Sequence, residues 1–235
     1  MNTKKFLVID IETLNHTEDA LCYDVGYQIV DKHEKIYVQR SFVIYDMFFT
    51  EQELMNSAYY ACKIPHYLDG IKRKQRKVVN FLTAWKIIRK DMKQYGITEV
   101  YAYNANFDYS GLNRTLRYIT KSEYRYFFPC GTKICCIWHM ACQVICTQKT
   151  FYKEAIKNGW ITPSGNFITN AETVYKYITG QENFEEAHTG LEDVIIETEI
   201  LFKCLRQHKK MNKSINRNCW RIPIKYYKEC YTDGI

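Results

Sequence analysis

Phe6-Leu7-Val8-Ile9-Asp10-Ile11-Glu12-Thr13 is the stretch that decides how this 235-residue chain is read. Four apolar residues in a row predict a strand inside a sheet, and the acids that follow, Asp10 and Glu12, are two apart. Successive side chains of a strand point to opposite faces, so both carboxylates stand on one face. Two acids held close on an apolar strand raise each other's pKa, and a divalent cation reverses that penalty. Hard oxygen ligands of this kind select Mg²⁺ or Mn²⁺ over softer metals.

Working outward, Lys4 to Asp10, Tyr23 to Val30 and Ile36 to Val43 alternate like a three-stranded meander, with Asp31-Lys32-His33-Glu34-Lys35 as a polar turn. Thr50-Glu51-Gln52-Glu53-Leu54 has the acids of a capped helix start. Val78, Phe81, Leu82, Trp85, Ile88 and Met92 recur at three- and four-residue intervals, which predicts one helix that stops at Gly96. Glu99-Val100-Tyr101-Ala102-Tyr103 predicts a fourth strand, and Asp108 opens a helix with Leu112, Leu116 and Ile119 on its apolar face. Asp108 thus falls at a strand-to-helix switch, where diverging loops of open α/β sheets bind ligands. A further strand follows, then a hairpin pairing Trp160-Ile161-Thr162 with Phe167-Ile168-Thr169, then a helix from Ala171 to Tyr177 capped by Asn170. The last helix starts near Gly190 and runs past Leu205, with Asp193 in its first turns and His188 just before it. This order describes an α/β domain with a mixed sheet. Two carboxylates from a strand, a third from a helix, and a fourth beside a histidine are the makings of a paired-metal site, and paired metals serve phosphodiester chemistry.

Bulk properties are those of one ordinary globular domain: 46% hydrophobic and 25% charged residues, with no Gly/Ser/Pro-rich linker and no internal repeat. Asp10 ends the first apolar run after four residues, short of the roughly 7 to 15 of a secretory core, and no stretch approaches the roughly 18 needed to span a bilayer. The expectation is therefore a cytoplasmic protein with no membrane partner. Five of ten cysteines (Cys130, Cys135, Cys136, Cys142, Cys146) crowd one segment, at spacings that match no usual zinc pattern, so cysteine is expected there as a small core residue. The formal charge of +7 is concentrated in Lys72, Arg73, Lys74, Arg76 and Lys77, and again along the tail from Lys203 to Lys228. Such clusters fit either a solvated helix face or a polyanion-binding surface. The tail adds Trp220, Tyr226, Tyr227 and Tyr231, whose rings could stack on bases.

Taken in order, Asp10-Ile11-Glu12-Thr13, Asn104-Ala105-Asn106-Phe107-Asp108 and His188 followed five residues later by Asp193 resemble the three motifs of the DEDD exonuclease superfamily in its histidine subtype, the DnaQ-like exonucleases. The resemblance covers positions near 5 to 205. Tyr103 stands where many members have histidine, Leu14 where a small residue is frequent, and Gly190 where alanine is usual; none of these removes a ligand. The resemblance implies an RNase H-like fold, expected here as a central mixed five-stranded sheet flanked by helices, over residues 1–208. Residues 209–235 have no counterpart and are expected as a basic aromatic tail packed on the domain.

What the resemblance further implies is 3′-to-5′ hydrolysis of nucleic-acid ends with two divalent ions, Mg²⁺ or Mn²⁺. Asp10, Glu12 and Asp193 would hold one ion; Asp10 would bridge to the second, which Asp108 reaches through water. His188 would be the general base, a task its unperturbed pKa near 6.5 suits. Ile11, Thr13, Leu14, Asn104 and Phe107 would bind the terminal nucleotide. Single-stranded 3′ ends are the expected substrate, with DNA slightly ahead of RNA. The alternative is a non-catalytic nucleic-acid-binding protein on the same scaffold, against which stands the retention of all four acids and the histidine. A zinc-stabilised module built on Cys130 to Cys146 ranks last. The tail cations are expected to guide strands to the site electrostatically.

Overall fold

The structure, a computed structural model, describes residues 3–14 and 19–231. Residues 232–235 of the expected tail lie outside the described residues. Strands β1 (Lys5–Leu14), β2 (Leu21–Asp31) and β3 (Ile36–Ile44) form the antiparallel meander. Two short helices follow, α1 (Tyr45–Phe48) and α2 (Gln52–Ser57), then α3 (Ile64–Lys72), strand β4 (Lys77–Val79) and the long α4 (Phe81–Tyr95). Strand β5 (Glu99–Ala102) leads into α5 (Ala105–Thr120), and β6 (Lys133–Cys136) into α6 (Ile137–Val144) and α7 (Lys149–Lys157). Helices α8 (Ala171–Thr179), α9 (Gly190–Arg206) and α10 (Arg221–Tyr231) complete the order.

The sheet has six strands in the order β4-β3-β2-β1-β5-β6, with β4, β5 and β6 each parallel to a neighbour. Five strands were expected, and β4 is the addition. Val78 belongs to it, paired with Val43, rather than to the helix its spacing predicts. The boundary is local: Asn80 is extended (φ −69°, ψ 149°), and the Phe81 amide donates to the Asp46 carboxylate at 2.6 Å, so the helix begins at Phe81. A three-residue strand is too short for periodicity to separate it from the turn of a helix. The expected hairpin reduces to one bridge between Ile161 and Phe167. Thr50 does not cap a helix; its hydroxyl donates to the Asp46 carbonyl, and α2 starts at Gln52 without a side-chain cap. Asn170 does cap α8, accepting from the Thr173 amide at 3.0 Å.

Two apolar layers sandwich the sheet. On one face Leu7, Ile9 and Ile11 of β1 pack with Tyr27 and Ile29 of β2, Phe81, Ile88 and Met92 of α4, and Leu112 and Leu116 of α5. On the other, Phe6 and Val8 meet Met140 of α6, Phe151 of α7, Val174 of α8 and Ile200, Leu201 and Cys204 of α9. Cys135, Cys136 and Cys146 are buried in these layers, Cys142 is buried beside them, and Cys130 is exposed. No helix among the described residues is long and apolar enough to cross a membrane.

Candidate metal-binding active site

Alternation along β1 explains where the first two acids go. Phe6 and Val8 face α9, so Asp10 and Glu12 continue the same row. Helix α9 has the complementary gradient. Asp193 and Glu197, one helical turn apart, are buried at its amino-terminal end, and Ile200, Leu201 and Cys204 are buried further along. Strand and helix thus run in opposite senses, apolar against apolar and acid against acid.

The approach is close because two glycines allow it. Gly26 is the cross-strand partner of Asp10, and a Cβ built on it would lie 2.1 Å from the Gly190 carbonyl carbon. A Cβ on Gly190 would meet the Gly26 nitrogen at 2.7 Å. Glycine at position 190 therefore matches a backbone contact between β2 and the start of α9.

A polar network behind the site holds that start in place. Buried Asp24 accepts the Gly190 amide at 2.9 Å and the Tyr67 hydroxyl at 2.8 Å. Arg76, only 5% exposed, lies 3.5 Å from Asp24, donates to Glu192 at 2.7 Å, and stacks over the Tyr67 ring. Thr189, the N-cap residue of α9, donates its hydroxyl to Glu192 and its amide to Asp193 Oδ2 at 2.9 Å. One member of the first basic cluster is thus an internal counter-charge and not part of a solvated face.

One ligand atom from each of Asp10, Glu12 and Asp193 lies within 4.8 Å of the others, and the same holds for Glu186, His188 and Asp193. Asp108, in the first turn of α5, accepts the Ile11 amide at 3.2 Å, which ties that helix to β1 beside the pair. Asp10 Oδ2 and Asp193 Oδ1 are buried without a hydrogen-bond partner. Burial pushes every acid here upward, with mutual repulsion added for all but Asp108: Asp108 to about 7, Asp193 to about 8, Glu12 to about 9, and Asp10 and Glu197 well above the usual range. Orphaned buried carboxylate oxygens in an all-oxygen set with one imidazole fit hard divalent cations, which supply the missing positive charge.

His188 sits in a left-handed conformation (φ 52°), a costly backbone state for a non-glycine residue that tends to mark functional positions. Its ring stacks on Tyr60, centroids 4.3 Å apart and planes 16° from parallel. Burial, then the Lys63 charge, lowers its pKa from 6.5 against the opposing pull of Glu172, so the ring is neutral at pH 7.

These groups line one cleft of about 470 Å³ that also includes Ile11, Asn104 and Phe107. Thr13 and Leu14 do not reach it: Leu14 is fully buried, and the pairing of β1 with β2 shifts register between Glu12 and Thr13. That bulge turns the strand away from the cleft just past the acids. Sequence reasoning missed Glu186, Glu197 and Tyr60. Glu197 had a legible signal, its spacing of four from Asp193 on one helix face; it accepts the Tyr103 amide at 3.1 Å. Tyr103 is anchored in turn by its hydroxyl, which donates to the Thr169 carbonyl at 2.6 Å.

No protein-family model and no curated protein matches the chain. Solved structures do match. E. coli Exonuclease I in complex with a dA16 oligonucleotide superposes with a TM-score of 0.53 at 15% identity, covering 88% of this chain and 41% of that one. The same enzyme in complex with a dT13 oligonucleotide gives 0.54 at 13% identity, with 86% and 41% covered. The likeness is one of fold: a mixed sheet flanked by helices, an RNase H-like architecture. The chain spans about 41% of the length of Exonuclease I.

Proposed function

We propose that this protein is a metal-dependent 3′-to-5′ exonuclease of the histidine DEDD subtype, acting on single-stranded 3′ ends, with DNA slightly ahead of RNA. The observation that carries the reading is the convergence of Asp10, Glu12 and Asp193 within ligand distance of one another, with His188 adjoining Asp193 in the same cleft. Likeness in fold to an exonuclease solved with bound oligonucleotides supports it.

Asp10, Glu12 and Asp193 would hold one divalent ion, and Asp10 with Asp108 the second. Bound Mg²⁺ or Mn²⁺ would stabilise the attacking and leaving oxygens of the phosphodiester. His188, neutral at pH 7, accepts the proton of the attacking water at a ring nitrogen, and the Tyr60 ring fixes its plane. Ile11, Asn104 and Phe107 contact the terminal nucleotide from the cleft wall.

Matched 5′-labelled DNA and RNA oligomers, single- and double-stranded, incubated with Mg²⁺ or Mn²⁺, test the whole reading. The expected outcome is a ladder shortening from the 3′ end of single strands, abolished by EDTA. Intact oligomers retained on the protein in the presence of metal would instead establish the non-catalytic binding protein.

A further inference from the structure

A second cleft of about 520 Å³ adjoins the first and shares Asn104, Phe107 and Trp138 with it. The two differ in charge. The metal-binding cleft is lined by six carboxylates, Asp10, Glu12, Asp108, Glu186, Asp193 and Glu197, whereas the second cleft is lined by Arg114 and Arg217 and by no acid among the described residues. Phe107, Ser110 and Arg114 stand three and four residues apart on α5, so one helix face leads from the acids to the arginine over roughly 10 Å.

Arg217 comes from the segment that has no counterpart in the resemblance, and that segment is pinned. The Cys136 amide donates to the Lys213 carbonyl at 2.8 Å. His139 is hydrogen-bonded through Nδ1 to the Ser214 carbonyl at 2.8 Å and contacts the Asn216 amide through Nε2. Gln143 donates to the Asn212 carbonyl and accepts from its amide. Cys219 is fully buried. Anchored on both sides, Arg217 donates to Asn106 at 3.2 Å across the cleft mouth, which occupies one of the five donors of a guanidinium. Trp138 forms the shared wall with its ring held by Nε1 donating to Thr169 at 2.8 Å.

We infer that Arg114 and Arg217 form a phosphate subsite for the internal phosphodiesters of a single strand whose 3′ end lies in the metal-binding cleft, with Trp138 and Phe107 offering flat faces to the flanking nucleotide. The inference deepens the exonuclease reading and rests on it for the placement of the 3′ end. Guanidinium groups match phosphate geometry bidentately, and aromatic faces accept any base, so the subsite is sequence-tolerant. It also assigns the tail one discrete role: within the two clefts, Arg217 is the cation that residues 209–231 contribute.

The test compares the parent protein with Arg217→Ala, Arg114→Ala and, as a charge-matched control elsewhere on the tail, Lys225→Ala, whose side chain is exposed and paired with Glu229. Binding of 5′-fluorescein-dT20 is measured by anisotropy in EDTA over a salt series, and hydrolysis of dT20 and of the dinucleotide dTpdT with Mn²⁺. Each cleft arginine removed should weaken dT20 binding about tenfold and lower the slope of log affinity against log salt by about 1. KM should rise about tenfold for dT20 and less than twofold for dTpdT, which has no internal phosphate beyond the scissile one. The control should move neither by more than about twofold. Unchanged dT20 affinity in both arginine variants overturns the subsite, as does an equal loss in the Lys225 control, which would mean diffuse charge attraction. Arginine-dependent binding by a parent that hydrolyses nothing would leave the subsite standing and remove the exonuclease reading.

Discussion

The β1–α9 contact is two interfaces in one. At its apolar end Phe6 and Val8 pack with Ile200, Leu201 and Cys204 in a buried layer. At its acidic end, a few residues along the same strand and helix, Asp10 and Glu12 confront Asp193 and Glu197 at a distance that mutual repulsion opposes. The first end supplies hydrophobic stabilisation; the second consumes part of it to keep charge where a cation can use it. One half of this pair of elements closes the fold, which lets the other half remain unsatisfied.

Mutations at the two ends should therefore have opposite signs. The largest effect belongs to Asp10→Ala, which should abolish hydrolysis of labelled oligomers; digestion at the parent rate would end the assignment of the acidic end as the active site. His188→Ala should lower kcat by about 10² to 10⁴, the usual span for loss of a general base, with folding unchanged by circular dichroism. At the apolar end Leu201→Ala should destabilise by about 2–5 kcal/mol in urea unfolding and leave kcat near parental below the new midpoint. Gly26→Ala, although a single methyl, should behave like neither end, because it pushes α9 off β2 and should reduce stability and activity together.

Burial pushes Glu12, Asp193 and Asp108 up to about 9, about 8 and about 7, well above the roughly 4 of unfolded carboxylates. Over the intervening range the native state binds more protons, so their contribution to stability is full below about pH 4 and is lost as pH rises through 7 to 9. In EDTA, Tm should fall between pH 5 and 9, and Mg²⁺ or Mn²⁺ should flatten the fall. Under the same metal-free conditions at pH 8, Asp10→Asn should raise stability by about 1 kcal/mol, a Tm gain of about 2–4 °C. A Tm independent of pH and metal, or lowered by Asp10→Asn, would mean that the acidic end is not strained.

Much of this is legible in the sequence because it depends on short-range periodicity. Alternation placed Asp10 and Glu12 on one face, and the helical pattern after Gly190 set the position of Asp193 and, with one more step of four, could have included Glu197. The failures have local causes as well. Val78 fell into a helix because β4 is three residues long and owes its existence to pairing with β3. Leu14, which the resemblance places at the substrate, lies outside the cleft past a bulge formed against β2, and nothing in one strand's sequence announces such a bulge.

The two basic clusters mark the limit. Arg76 and Arg217 carry the same charge and belong to the two basic clusters, yet one is buried between Asp24 and Glu192 and the other lies at the mouth of a cleft. The α/β class and the strand and helix that carry the acids can be read from the sequence, because each follows from the period of its own element, whereas the candidate metal ligands follow from the order of the motifs and the resemblance that order carries. Only the tertiary structure decided which glycines let α9 approach β2, which carboxylates share a cleft, and which arginine is counter-charge and which is exposed. Those outcomes depend on distances between residues far apart in the chain, where packing and burial, not local pattern, set the energy.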